Sequence, residues 1–104
     1  MSVRTVLLYP HKEGAAFDIN YYLKNHMPLV SELYGPFGLE HWEVVKFPEN
    51  DSPVYVVQTT LCWKTRDQLA AANASKGAEQ LFEDIKNFSE VLPIALTGDR
   101  VGKL

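Results

Sequence analysis

The chain has 104 residues, 46% of them hydrophobic and 22% charged, which suits one folded domain over residues 1–104 and excludes a disordered protein. A net charge of −3 gives no basic footprint for nucleic acid or for an anionic membrane. One cysteine, Cys62, excludes an internal disulfide, and no apolar run reaches transmembrane length.

Val3 to Tyr9 predicts a first strand, rich in Val, Leu and Tyr and ended by Pro10. The apolar run is too short for a secretory signal, and with the lone cysteine it places the protein in the cytoplasm. Both faces of the strand are largely apolar: Val3, Thr5, Leu7 and Tyr9 on one, Val6 and Leu8 beside Arg4 on the other. A polar loop follows at residues 11–16, with Gly14 as its turn.

Phe17 to Gly35 predicts the helix that organises the chain. Ile19, Tyr22, Leu23, His26, Met27, Val30 and Leu33 share one face at 100° per residue. Asp18 is the expected N-cap and Gly35 the expected stop. Pro28 lacks the N–H that would reach the Lys24 carbonyl, which predicts a kink or a broken turn there and a Met27 displaced from helical angles. His26 lies in the middle of the apolar stripe. A titratable imidazole beside a helix defect, on the face that meets the core, is the best functional clue. Tyr21 points off the stripe and reads as surface or interface.

Leu39 to Phe47 predicts a second strand, 48–53 a loop, and Val54 to Trp63 a third strand that is again apolar on both faces. Thr65 with Gln68 forms a capping-box pattern that opens a helix at Arg66. The helical period pauses at 73–75 and resumes with Ala78, Leu81, Phe82, Ile85 and Phe88, which predicts a bend between two helices. Leu92 to Thr97 predicts the last strand. The order β-α-β-β-α-β implies an α+β, ferredoxin-like sheet with its helices on one face. That leaves an apolar second face uncovered. A monomer avoids such a patch, so a homodimer is expected, sheet against sheet.

Three features of the chain resemble the EthD family of dimeric α/β-barrel proteins, named for degradation of ethyl tert-butyl ether. They are FDINYYLKNHMPLV after a strand ending in LYP, then EDIKNF, then LPIALTGD. The resemblance implies a ferredoxin-like protomer, a homodimeric barrel and a pocket between helices and sheet in each protomer. It places the family's histidine on His26 and its aspartate on Asp84. Relatives on this fold include cofactor-independent oxygenases, isomerases, decarboxylases and haem enzymes, so fold does not settle the reaction.

His26 therefore reads either as a hydrogen-bonded core histidine or as the general acid or base of a pocket. Asp84, at the margin of its stripe beside Leu81 and Phe88, reads as a solvated or capping residue or as the partner of His26. Tyr9, Tyr22, Met27, Trp63, Phe82 and Phe88 are the candidate substrate contacts, with most aromatics serving the core. Cys62 has no base beside it and reads as inert burial.

No metal site is expected, since one would need His11, His26 and His41 to converge, and no cofactor is expected either. Two functions remain. One is a cofactor-independent enzyme, of oxidoreductase or lyase type, in degradation or secondary metabolism, acting on a small apolar or aromatic compound. The other is a non-catalytic carrier of such a compound.

Overall fold

Short runs rich in β-branched, aromatic and other apolar residues set the strands, and the computed structural model describes the chain within residues 2–49 and 54–104. Val3–Pro10 forms β1, Leu39–Lys46 β2, Tyr55–Trp63 β3 and Ile94–Asp99 β4. The helices are α1 (Ile19–Tyr21), a π-helical turn (Tyr22–His26), α2 (Met27–Tyr34), α3 (Arg66–Asn73) and α4 (Lys76–Asp84). Short 3-10 turns follow α2 at Gly35–Phe37 and α4 at Ile85–Asn87. The sheet order is β2-β3-β1-β4, and every neighbouring pair is antiparallel. This is the ferredoxin-like α+β arrangement that the element order implies. The expected loop at 48–53 lies, at residues 50–53, outside the described residues.

β4 starts two residues later than its composition suggests. Pro93 carries no N–H for the ladder, and the first paired residue is Ile94, opposite Leu8.

The first helical region departs from the sequence reading in three ways, two of them at one widened turn and the third at a 3-10 turn after α2. The N–H of Met27 bonds to the carbonyl of Tyr22, five residues back, so the helix opens into a π turn before Pro28. Pro28 then sits in the first turn of α2, where its missing donor costs little. The expected defect at Pro28 takes the form of this π turn, but Met27 is not displaced from helical angles, standing at φ −67° and ψ −37°. Leu23, expected on the buried stripe, is 44% exposed, because a stripe counted at 100° per residue loses its phase across the π turn. Gly35 is not the stop either. It is helical at φ −52°, and the left-handed residue is Gly38 at φ +104°, after the 3-10 turn.

Other local signals hold as read. Asp18 caps α1 by accepting from the N–H of Tyr21 at 3.0 Å. Thr65 and Gln68 form the full capping box of α3. Ser75 caps α4 by accepting from Ala78, which places the bend between α3 and α4. The Asp18 N–H also donates to the Phe88 carbonyl at 2.8 Å, tying the start of α1 to the end of the 3-10 turn that follows α4.

Val3, Tyr9, Tyr22, Met27, Val57, Thr59 and Trp63 are the largest fully buried side chains, all between sheet and helices. The opposite face carries Val6, Leu8, Ile94 and Leu96, with Ile94 44% and Leu96 54% exposed in the single chain. Cys62 is buried on that face, opposite Arg4. Among the described residues, no helix is long and apolar enough to cross a membrane.

Candidate functional site

Between the helices and the β4 side of the sheet lies a cavity of about 400 Å³. Thr5, Leu7 and Leu61 come from the sheet, Tyr22, His26 and Met27 from the first helical region, and Phe82 and Leu92 stand at its rim. Phe82 is 61% and Leu92 59% exposed, so the cavity opens beside two apolar side chains. A second cleft, about 220 Å³, lies near His11, Lys12 and Phe47 and contains neither His26 nor Asp84.

The π turn puts His26 in the wall of the larger cavity and Asp84 behind it. His26 Nδ1 lies 2.8 Å from Asp84 Oδ2. Asp84 Oδ1 accepts from the Tyr21 hydroxyl at 2.6 Å and from Asn87 Nδ2 at 2.9 Å. An ionised carboxylate can only accept, so Nδ1 carries the imidazole proton and Nε2 keeps its lone pair. Nε2 bonds to no protein atom among the described residues. It is not among the fully enclosed unpartnered atoms either, where only Trp63 Nε1 stands, so it meets the accessible space of the cavity.

Aromatic rings hold this arrangement. The His26 ring stacks on Tyr22, 14° from parallel, and tilts against Phe88 at a centroid distance of 4.6 Å. Phe88 also packs on Tyr9, Phe17 and Tyr22. Each such contact fixes a ring without adding a polar group.

Burial lowers the His26 pKa from its usual 6.5, and the neighbouring Asp84 opposes this without reversing it. Burial pushes the Asp84 carboxyl upward, but hydrogen bonds from Tyr21, Asn87 and His26 outweigh it and hold the pKa below its usual value. The pair near neutral pH is thus a neutral imidazole and a carboxylate. Burial and the neighbouring Tyr22 push the Tyr9 phenol far above its usual range, so the cavity wall also holds a neutral O–H.

Of the candidate contacts read from sequence, Tyr9, Tyr22, Met27 and Phe82 line the cavity with His26. Trp63 and Phe88 do not. Trp63 packs on Tyr34, and Phe88 lies behind Tyr22 and His26. Tyr34 lines the cavity and went unread. Tyr21, read as surface or interface, instead joins Asp84. Asn87 went unread as well, although three residues after Asp84 on a helical segment is a spacing that brings side chains together. Cys62 is buried, and burial pushes its thiol pKa upward. Among the described residues, no group of three or more His, Cys, Asp or Glu side chains could hold a metal ion.

No family model and no curated protein matches the chain. Solved structures do. An EthD-like protein from Ralstonia eutropha is 26% identical at a TM-score of 0.86, covering 99% of this chain and 95% of that one. An EthD family protein from Bacillus halodurans is 19% identical at 0.75, over 97% and 100% of the two chains. SnoaB of Streptomyces nogalater, described as a cofactor-independent oxygenase, is 9% identical at 0.62, over 99% and 95%, a likeness of fold alone. The EthD resemblance drawn from the sequence is borne out.

Proposed function

We propose that this EthD-like protein is a homodimeric, cofactor-independent enzyme whose His26 removes a proton from a small, uncharged apolar or aromatic compound bound in the cavity. The observation that carries the reading is the pairing of His26 Nδ1 with Asp84, which leaves Nε2 as a lone pair facing open space. In the step, the substrate's X–H bond breaks and an Nε2–H bond forms. The electron pair stays on the substrate, and the imidazolium forms against the Asp84 carboxylate. The neutral Tyr9 phenol in the same wall is hydrogen-bonded to Tyr22 and steadies the ring on which His26 stacks. Mostly apolar walls favour an uncharged ligand.

An oxidoreductase setting is proposed for such chemistry, in which the electron pair left on the substrate forms a C–O bond to dioxygen and reduces it to a substrate peroxide. A lyase setting, in which the pair instead expels a leaving group, is the alternative. The cytoplasm is the proposed location, on the strength of the single cysteine. The uncovered apolar face supports the dimer, with the second copy as its cover.

The test is a pair of measurements on wild type and His26→Gln. Native mass spectrometry of protein purified from its host identifies a co-purifying compound, and that compound is assayed for binding and turnover. An enzyme loses turnover in His26→Gln by roughly 10²–10⁴-fold while binding stays close to wild type. Modestly weaker binding with no turnover in either protein makes it a carrier. Equal binding and equal turnover make His26 a structural residue.

A further inference from the structure

We infer that Tyr21 is a positioning residue for His26, acting through Asp84. The inference rests on the reading of His26 as the proton acceptor, and it assigns work to a side chain that does not line the cavity. Tyr21 sits one residue before the π turn. Its backbone N–H is held by the Asp18 cap, and its ring lies 21° from parallel with Phe88, the same ring that tilts against His26. Its hydroxyl donates to Asp84 Oδ1 at 2.6 Å, while His26 Nδ1 takes Oδ2 at 2.8 Å. The two donors thus grip opposite oxygens of one carboxylate, and Asn87 Nδ2 adds a third bond on the Oδ1 side.

This grip does two things. It fixes the carboxylate plane, so that Oδ2 stays aimed at Nδ1 and Nε2 stays aimed at the cavity. A carboxylate with a free Oδ1 can turn about its bond and lose that aim. It also draws part of the anion's charge away from the imidazole, since charge shared with a strong O–H donor is less available to stabilise an imidazolium. The phenol keeps its proton in this role, because its bond to Asp84 pushes its own pKa up. Tyr21 thereby keeps the acceptor form of His26 dominant close to neutral pH, and Asn87 supports it.

The experiment is nitrogen NMR of ¹⁵N-histidine-labelled full chain, wild type against Tyr21→Phe and Asn87→Ala, from pH 4.5 to 8.5. It needs no substrate. The Phe ring retains the stack on Phe88, so Tyr21→Phe removes only the hydroxyl. Wild-type His26 is expected as a single Nδ1–H tautomer. Tyr21→Phe is expected to raise the His26 titration midpoint and to add a population of the Nε2–H tautomer. Asn87→Ala is expected to move the midpoint the same way. His11 and His41, both exposed, are internal controls that should not move.

A Tyr21→Phe protein whose His26 titrates and divides between tautomers as wild type does overturns the inference and leaves the role of His26 standing. So does a shift that appears only with changes across the whole spectrum. A wild-type His26 already in the Nε2–H form overturns the base role itself, a different result from the first.

Discussion

The Tyr22 hydroxyl and Thr59 Oγ1 lie 2.6 Å apart in the core, and both residues are 0% exposed. This bond joins the π turn to the middle of β3. It is one of the few polar contacts in a region otherwise closed by aromatic rings. Tyr22 also carries the His26 ring on its face, so whatever holds Tyr22 holds the histidine.

Removing one side of this bond costs the other a partner. Thr59→Val keeps the shape and leaves the Tyr22 hydroxyl with only its bond to Tyr9 in an apolar setting, at a cost of about 1 kcal/mol. For a domain of this size that lowers Tm by roughly 4–8 °C per kcal/mol. Tyr22→Phe with Thr59→Val removes both hydroxyls together and is expected to recover much of the loss. Thermal unfolding of the two single variants and the double variant checks this. A double variant as unstable as the sum of the singles would show that the two hydroxyls do not act as a pair.

The sequence reading reached the fold because its strongest signals are local. The capping pair Thr65 and Gln68, the Asp18 cap and the short β-branched and aromatic runs of the strands each depend on near neighbours. It reached His26 through its place in an apolar stripe. It lost Tyr21 and Leu23 because Pro28 was treated as a break at one point. The chain instead absorbs the missing donor one turn earlier, and the phase changes for every residue across that turn. The helix stop moved from Gly35 to Gly38 for a related reason: a 3-10 turn carries the chain three residues further. The pairing of His26 with Asp84 spans 58 positions, and no local pattern encodes such a distance. That placement came only through the family resemblance.

Gly38 should tolerate no side chain. At φ +104° an L-residue is strained, and a Cβ built there meets the Gln68 side chain at 2.5 Å. That same side chain accepts from the Thr65 N–H and completes the cap of α3. Gly38→Ala therefore adds backbone strain of about 1–2 kcal/mol and disturbs a cap worth about 1 kcal/mol. Urea unfolding should show a lower midpoint with an unchanged slope. Gly35→Ala, at a helical φ with nothing near its Cβ, is the control and should be neutral or slightly stabilising.

Acid should weaken the fold in two stages. Stability rises with pH wherever the unfolded chain binds more protons than the folded one. His26 has a lowered folded pKa, so as pH falls below 6.5 the unfolded chain takes up the proton first and stability drops until the folded pKa is passed. Asp84 also has a lowered folded pKa. Its contribution is present above its usual value of 3.8 and is lost as pH falls from there through the folded value. Denaturant titrations from pH 8 to pH 3 check both stages. His26→Gln should flatten the upper stage. A wild-type stability that does not change between pH 7 and pH 5 contradicts the buried neutral histidine.

The open face of the sheet gives the sharpest test of assembly. Leu96 pairs with Val6 across the β1–β4 ladder, Ile94 pairs with Leu8, and Cys62 lies on the same side in β3. In the single chain Leu96 is 54% exposed, so a lysine there should leave the protomer's own core intact. In a sheet-to-sheet dimer the same lysine is pressed among the partner's apolar side chains. An unpaired buried charge costs about 3–5 kcal/mol, which weakens Kd by roughly a hundredfold or more. Sedimentation equilibrium of wild type at micromolar concentration should show twice the 11.8 kDa chain mass. Leu96→Lys at the same concentration should show the 11.8 kDa species with an unchanged far-UV circular dichroism spectrum. Lys64, an exposed residue just past the end of β3, gives Lys64→Glu as the control, which should leave the dimer in place. A wild-type protein that sediments as a single chain refutes the dimer. A dimer that survives Leu96→Lys keeps the pairing but moves it away from this face.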